Sequence, residues 1–221
     1  QRKGYQMAAE KIKRSQTRGE EIANTISHGL GAVLALAGAV PLAVRGILSG
    51  SVKTGFSLTA YGVSLVLLYT ASAVYHGVRN PEIKRALRIM DHCSIFVLIL
   101  GTYVPMSLLV VGGRTGWMLF MTNTTLAVVG IVLNTIDLKR FDKVSLALYA
   151  LMGWLVVVAM KAIIATLPPL GLGLLTAGGV AYTAGIVFYK SQGKYMHFVW
   201  HLFVLAGSVL QFFCIALYCL P

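Results

Sequence analysis

The sequence predicts an all-α integral membrane protein, a seven-transmembrane helix bundle with its N-terminus in the cytoplasm and its C-terminus outside. Three observations predict it. Of 221 residues, 57% are apolar and 12% charged, with a mean hydropathy of +0.77; a soluble domain carries about 25% charged residues. Seven runs approach the ~20 apolar residues that a helix needs to cross a bilayer. The basic residues, 19 against 7 acidic for a formal charge of +12, fall largely on one side of those runs.

The elements follow in order. Residues 1–22 form a basic polar tail. It holds no apolar h-region with a small-residue cleavage site, so it reads as a cytoplasmic extension rather than a signal peptide. The membrane domain covers 23–221, and its first span runs over about 25–44, bounded by Arg45. The second, about 54–77, follows Lys53 and stops before Arg79-Asn80-Pro81, where proline blocks helix continuation. The third, about 91–111, opens on Asp91-His92 and carries Pro105, which is expected to kink it. The fourth, about 116–136, contains Asn123 and Asn134, read as hydrogen-bonding groups between helices. The fifth, about 144–165, ends before Pro168-Pro169; its Lys161 can snorkel to the surface. The sixth, about 170–189, contains Gly171, Gly173, Gly178 and Gly179, and the first contains Gly29, Gly31 and Gly38; such small residues permit close helix packing. The seventh runs over about 196–219. Period-2 alternation over ten-residue segments, the mark of an outer-membrane barrel, does not occur. No polar stretch is long enough for a separate soluble domain.

Fifteen of the nineteen basic residues lie in the tail and in the connections after spans two, four and six, leaving Arg45, Lys53, Arg114 and Lys161 for the other face. By the positive-inside rule this places the tail in the cytoplasm and the C-terminus outside. The expected molecule is therefore an integral membrane protein that crosses the bilayer several times. The positive charge is a topology signal spread over short loops, which excludes a nucleic-acid partner. Three cysteines, Cys93, Cys214 and Cys219, lie in apolar runs with no CxxC, which excludes a disulfide scaffold or zinc ribbon.

The five histidines, His28, His76, His92, His197 and His201, all fall in the cytoplasmic half on this topology, as do Glu20, Glu21 and Asp91. Ionisable groups at membrane depth are costly and point to function. His197 and His201 are four apart, which places both imidazoles on one helix face. Such a pair suits two ligands of one metal ion, although core histidines joined by hydrogen bonds share the spacing. His76, at the same depth on another helix, supplies a third imidazole. Three neutral histidines leave a tetrahedral Zn²⁺ with an open position for water. Ser72 lies one turn before His76 on the same face. Asp91 offsets the charge of a dication and can take a proton from water on the metal, whose pKa falls toward about 7. Glu21, Asn24 and His28 share a helical face and read as supporting or structural groups. His92, about 100° around the helix from Asp91, reads as an interfacial or inter-helix hydrogen-bonding residue.

The set Glu21-x-x-Asn24-x-x-x-His28, Ser72-x-x-x-His76, Asp91-His92-Cys-Ser-Ile95 and His197-x-x-x-His201 resembles the bacterial hemolysin III family. That family is related to the progestin and adipoQ receptors, including the adiponectin receptors, and more distantly to alkaline ceramidases. Glu20-Glu21-Ile22-Ala23-Asn24, Gly101-Thr102-Tyr103, Gly153-Trp154 and Trp200-His201 fit as well, so the resemblance runs from about residue 18 to the C-terminus. It implies seven helices and an intramembrane zinc near the inner surface. By position His76, His197 and His201 are the zinc ligands, with Asp91 meeting the metal directly or through water and Ser72 close by. Gln211 stands where bacterial relatives often carry histidine. It lies nearly four turns from His197, too far along the helix for a fourth ligand.

No GxGxxG, P-loop, GxSxG or HExxH occurs, which excludes nucleotide, α/β-hydrolase and soluble zincin chemistry. The favoured function is a zinc-dependent membrane hydrolase acting on a lipid amide or ester, with Asp91 and Ser72 catalytic and a membrane lipid or fatty acyl chain as partner. The alternatives are a non-enzymatic sensor or homeostasis protein with structural zinc and, last, a pore-forming hemolysin. The scarcity of intramembrane charge gives a pore little polar lining.

Overall fold

The computed structural model describes residues 14–219 and contains seven helices long and apolar enough to cross a membrane, with no strand among the described residues. They are α1 (Arg18–Leu48), α2 (Val52–Gly77), α3 (Pro81–Val111), α4 (Gly113–Asp137), α5 (Asp142–Thr166), α6 (Pro169–Lys190) and α7 (Met196–Tyr218). The seven-helix expectation is met. Residues 1–13 of the basic tail lie outside the described residues.

Three helix starts follow from capping chemistry. Thr17 and Glu20 form a reciprocal capping box at α1, Ser51 accepts from Thr54 N at α2, and Asn80 caps α3 with Pro81 in its first turn. Side chains of this type satisfy amide donors that a helix start leaves unpaired. These caps start two helices ahead of the expected apolar spans. Helix α1 begins at Arg18 rather than near 25, and α3 begins at Pro81 rather than near 91. Hydropathy marks where a chain enters apolar surroundings, whereas a helix starts where a cap permits it. His28, Asp91 and His92 therefore stand more than two turns inside their helices.

At Pro105 the α-helical part of α3 gives way to π-helical turns over Met106–Val111. The expected disturbance at this proline thus takes the form of a wider helix, ended by Gly112 and Gly113 at φ 62 and 53. Both angles are in the left-handed region that glycine occupies without strain. The chain then reverses so tightly that a Cβ on Gly116 would collide with the Ser107 carbonyl.

Helix α1 packs between α2 and α7, α2 continues to α3, and α6 lies against α7. Helices α2 and α3 are the most buried and α5 the least. Close approach of α1 and α2 depends on small residues: a Cβ on Gly62 would stand 2.8 Å from Ala39 Cβ. Of the glycines expected to serve packing, Gly31, Gly38, Gly171 and Gly178 each face a side chain that a Cβ would press. Gly29, Gly173 and Gly179 have nothing within 4 Å, so for them the expectation fails.

Asn134 joins helices as expected, accepting from Ser145 Oγ at 2.6 Å. Asn123 does not: its amide donates to Leu119 O of its own helix at 3.4 Å. In the core, Tyr69 donates to Ser208 Oγ at 2.7 Å, and Tyr182 meets the same hydroxyl at 2.8 Å. This polar knot ties α2, α6 and α7 together inside the bundle.

Candidate metal centre

The topology brings the C-terminus of α2 and the N-terminus of α7 to one end of the bundle, with α1 between them. His76 sits in the last turn of α2, while His197 and His201 sit in the first two turns of α7. Their ligating nitrogens all lie within 4.8 Å of one another. Ring centroids are 5.2 Å apart for His76–His197, 5.1 Å for His76–His201 and 4.7 Å for His197–His201. His76 and His201 are buried.

Helix α1 aims the rings. Glu21 Oε2 accepts from His76 Nδ1 at 2.7 Å. Ser27 Oγ donates to Asn24 O at 2.9 Å, so toward His201 Nδ1, 3.2 Å away, it is the acceptor. Each bond leaves the proton on Nδ1 and the lone pair on Nε2, the arrangement of a metal-binding histidine backed by an acceptor. The Nε2 atoms of His76 and His201 are buried with no hydrogen-bond partner among the described residues. Unsatisfied nitrogens at this depth cost about 1–3 kcal/mol each, and a shared cation removes that cost. The residues thus fit a metal ion.

The other expected residues take distinct places. Asp91 is buried and has Ser72 within hydrogen-bonding reach, yet it stands outside the ligand group. Asn24 Nδ2 donates to Gln16 Oε1 at 2.5 Å and lies 3.4 Å from His76 Nδ1. His28 stacks on His201, with centroids 3.5 Å apart and planes at 12°. His92 is buried and bonds within its own helix. Its Nδ1 donates to Arg88 O of the same helix at 2.9 Å and lies 3.5 Å from Asp91 Oδ2. The inter-helix bond at this position goes from Tyr149 to the His92 carbonyl, at 2.8 Å. Because α3 begins early, a helical carbonyl is already in place four residues before His92.

Other residues support the site, and of these only Glu20 stands out in the sequence. Lys84 Nζ donates to the carbonyls of Tyr75, His76 and Val78 at 3.1–3.3 Å and pairs with Glu21 Oε1 at 3.2 Å. It thereby closes the C-terminus of α2 under His76. Glu20 pairs with Arg14 and accepts from Tyr195 N at 2.8 Å, where φ is 62. Together these contacts clamp the start of α1 onto the start of α7. A cleft of about 40 Å³, lined in part by Gln16, Glu20 and Tyr189, reaches His197 from this end.

Comparison with known proteins accords with this geometry. A family model described as haemolysin-III related matches residues 16–212. The chain is 40% identical to Hemolysin-3 of Bacillus cereus over 91% of its length and 93% of that protein. It is 40% identical to the Hemolysin-3 homolog of Bacillus subtilis (strain 168), covering 90% and 94%. The human monocyte to macrophage differentiation factor is 28% identical, over 89% of the chain and 83% of that protein.

Proposed function

The chain belongs to the haemolysin-III-related family, and from that premise we propose that it is a zinc-dependent hydrolase of the bacterial inner membrane. Its substrate class is a lipid amide or ester carrying a fatty acyl chain, and its role lies in membrane-lipid homeostasis. One observation carries the reading: a three-histidine cluster, with His76 and His201 buried, stands near a buried carboxylate–serine pair, Asp91 and Ser72.

His76, His197 and His201 hold the ion. When bound, zinc supplies Lewis acidity toward a carbonyl oxygen and acidifies water at an open fourth position. Glu21 and Ser27 keep two of the rings in the required tautomer. Asp91 takes the proton of the attacking water, and its charge offsets the dication. Ser72 offers a hydroxyl donor to the oxyanion that develops on the carbonyl. The cleft beside His197 has room for water, since one water needs roughly 10–15 Å³. Acyl chains reach the centre laterally through the bilayer. Arg14, Lys84, Arg85, Arg88, Lys139, Arg140, Lys190 and Lys194 all belong to the histidine end of the bundle, which supports a cytoplasmic placement of the site.

The test joins metal analysis to turnover. Wild type is expected to carry about one zinc per chain, and a His197→Ala/His201→Ala variant to lose it. Asp91→Ala is expected to keep zinc and lose hydrolysis across a lipid panel. Equal zinc in wild type and variant overturns the site. Absent turnover by zinc-loaded protein, with Asp91→Ala leaving the cellular phenotype intact, overturns the enzyme.

A second reading has its own support. The cleft beside His197 is small, about 40 Å³, and Asp91 is not among the ligands. On this reading the metal is structural, tying α2 to α7 in a sensor or homeostasis protein. His76→Ala then destabilises the fold, and Asp91→Ala is silent.

A further inference from the structure

The end of the bundle opposite the histidines carries cations without counter-charges. Arg45, Lys53, Arg114 and Lys161 lie in that half, and every acid among the described residues lies in the other. Lys53 borders a cavity of about 300 Å³ between the start of α2 and the ends of α3 and α7, with Ser51, Thr54, Leu109, Val110 and Tyr218 in its wall. Val52 and Lys53 open α2, and neither backbone N–H has an acceptor among the described residues. Such a helix start attracts anions.

Thr54 points to a ligand independently. It is 1% exposed and forms part of the cavity wall. Its amide donates to Ser51 Oγ at 3.3 Å, but its hydroxyl has no partner among the described residues and opens onto the cavity. A hydroxyl left unpaired at that depth is costly. Carbonyls that would repel an anion are already taken: Ala216 O accepts from Arg45 at 2.9 Å, and Ser107 O and Ile215 O accept from the amides that close α3 and α7. Leu48 and Val52, on either side of the α1–α2 turn, are 79% and 90% exposed, so the chain around Lys53 lies against lipid.

We propose that this cavity binds the phosphate group of an anionic membrane phospholipid, in the leaflet opposite the histidine centre. Lys53 and the first amides of α2 take the phosphate oxygens. Ser51 and Thr54 donate their hydroxyl protons to the same group, while Leu109 and Val110 lie against the glycerol ester and the first acyl carbons. One ammonium against one phosphodiester leaves the site neutral, as partial burial demands. A phosphate that carries no tethered amine is preferred, because the lysine then has no competing cation.

The experiment uses the full chain in nonionic detergent and titrates dihexanoyl-phosphatidylglycerol by calorimetry. Dihexanoylglycerol, which lacks the phosphate, and inorganic phosphate form separate arms. One phosphatidylglycerol per chain is expected, with dihexanoylglycerol at least about 10-fold weaker. Lys53→Gln is expected to weaken binding about 10-fold and Thr54→Val about 3–10-fold. Lys161→Gln, at a cation of the same end outside the cavity, is expected to stay within about twofold. Lys53 is exposed and valine keeps the shape of Thr54, so an unchanged thermal midpoint is expected for both; if Thr54→Val lowers it, Lys53→Gln carries the test. Inorganic phosphate that fails to displace the lipid supports the lipid as ligand. Displacement by phosphate, with the same dependence on Lys53, identifies a free-phosphate site and overturns the lipid assignment. Absent binding, equal binding of dihexanoylglycerol, or undiminished binding in Lys53→Gln overturns the site. Each outcome leaves the histidine centre and its chemistry unaffected.

Discussion

Glu21 contributes no ligand, yet removing it is expected to weaken metal binding measurably. Its Oε2 accepts from His76 Nδ1 at 2.7 Å, and its Oε1 pairs with Lys84 at 3.2 Å. In Glu21→Ala, Nδ1 loses the acceptor that holds its proton, the ring is free to turn, and Nε2 loses basicity. Loss of such a supporting group costs about 10–100-fold in metal affinity. The Glu21 side chain is 24% exposed, so water screens part of the interaction and compensates part of the loss. That argues for the lower half of the range, about 10–30-fold or ~1.4–2 kcal/mol. Glu21→Gln keeps an oxygen acceptor without the charge and is expected to lose only about 3–5-fold. The assay is competition for zinc with a chromophoric chelator in detergent. Glu82→Gln, an exposed acid in the first turn of α3, is the control. Affinity of Glu21→Ala within twofold of wild type would refute the reasoning, because α1 would then not be aiming His76.

Lys84→Met removes the donor shared by three carbonyls at the end of α2. It is expected to cost about 1–2 kcal/mol, read as a lower thermal midpoint and faster amide exchange over residues 75–78. Gly116→Ala drives a Cβ into the Ser107 carbonyl and is expected to cost about 1–3 kcal/mol. Gly173→Ala, with nothing within 4 Å, should be neutral or stabilising by up to ~1 kcal/mol in the same thermal assay. Ser208→Ala deprives the Tyr182 hydroxyl of its 2.8 Å partner and should cost about 1–3 kcal/mol. Adding Tyr182→Phe should recover part of that loss, since it removes the stranded hydroxyl.

The fold was legible because a bilayer imposes one dominant rule: a crossing helix must be long and apolar, and composition displays that directly. Helix ends obey a different rule. Thr17 with Glu20, and Asn80 with Pro81, start helices within polar sequence, so a hydropathy profile places both starts too late. The glycines divide for a related reason. Gly31 and Gly173 look alike in sequence, but only Gly31 faces a ring, that of Tyr69. Which side of a helix meets a neighbour is settled by tertiary packing.

The site divides along the same line. His76, His197 and His201 were legible because imidazoles are scarce and conspicuous among apolar residues, and because i,i+4 spacing fixes a shared face. Ser27 and Lys84 were not: a serine is unremarkable in a membrane helix, and a lysine beside a loop reads as a topology signal. A periodic clue to Ser27 was nonetheless present. Glu21, Asn24 and His28 define one face of α1, and Ser27 lies at its edge, about one turn after Asn24. An apolar helix that keeps such a polar stripe at one end must turn it toward polar partners, because lipid offers none. Those partners are the rings on α2 and α7: Glu21 takes His76, Ser27 takes His201, and His28 stacks on His201. The orientation of His76 and His201 is therefore set by a helix that supplies none of the three histidines. A substitution along that stripe should move metal affinity before it moves the fold, since the apolar packing of α1 against α2 and α7 continues well past it.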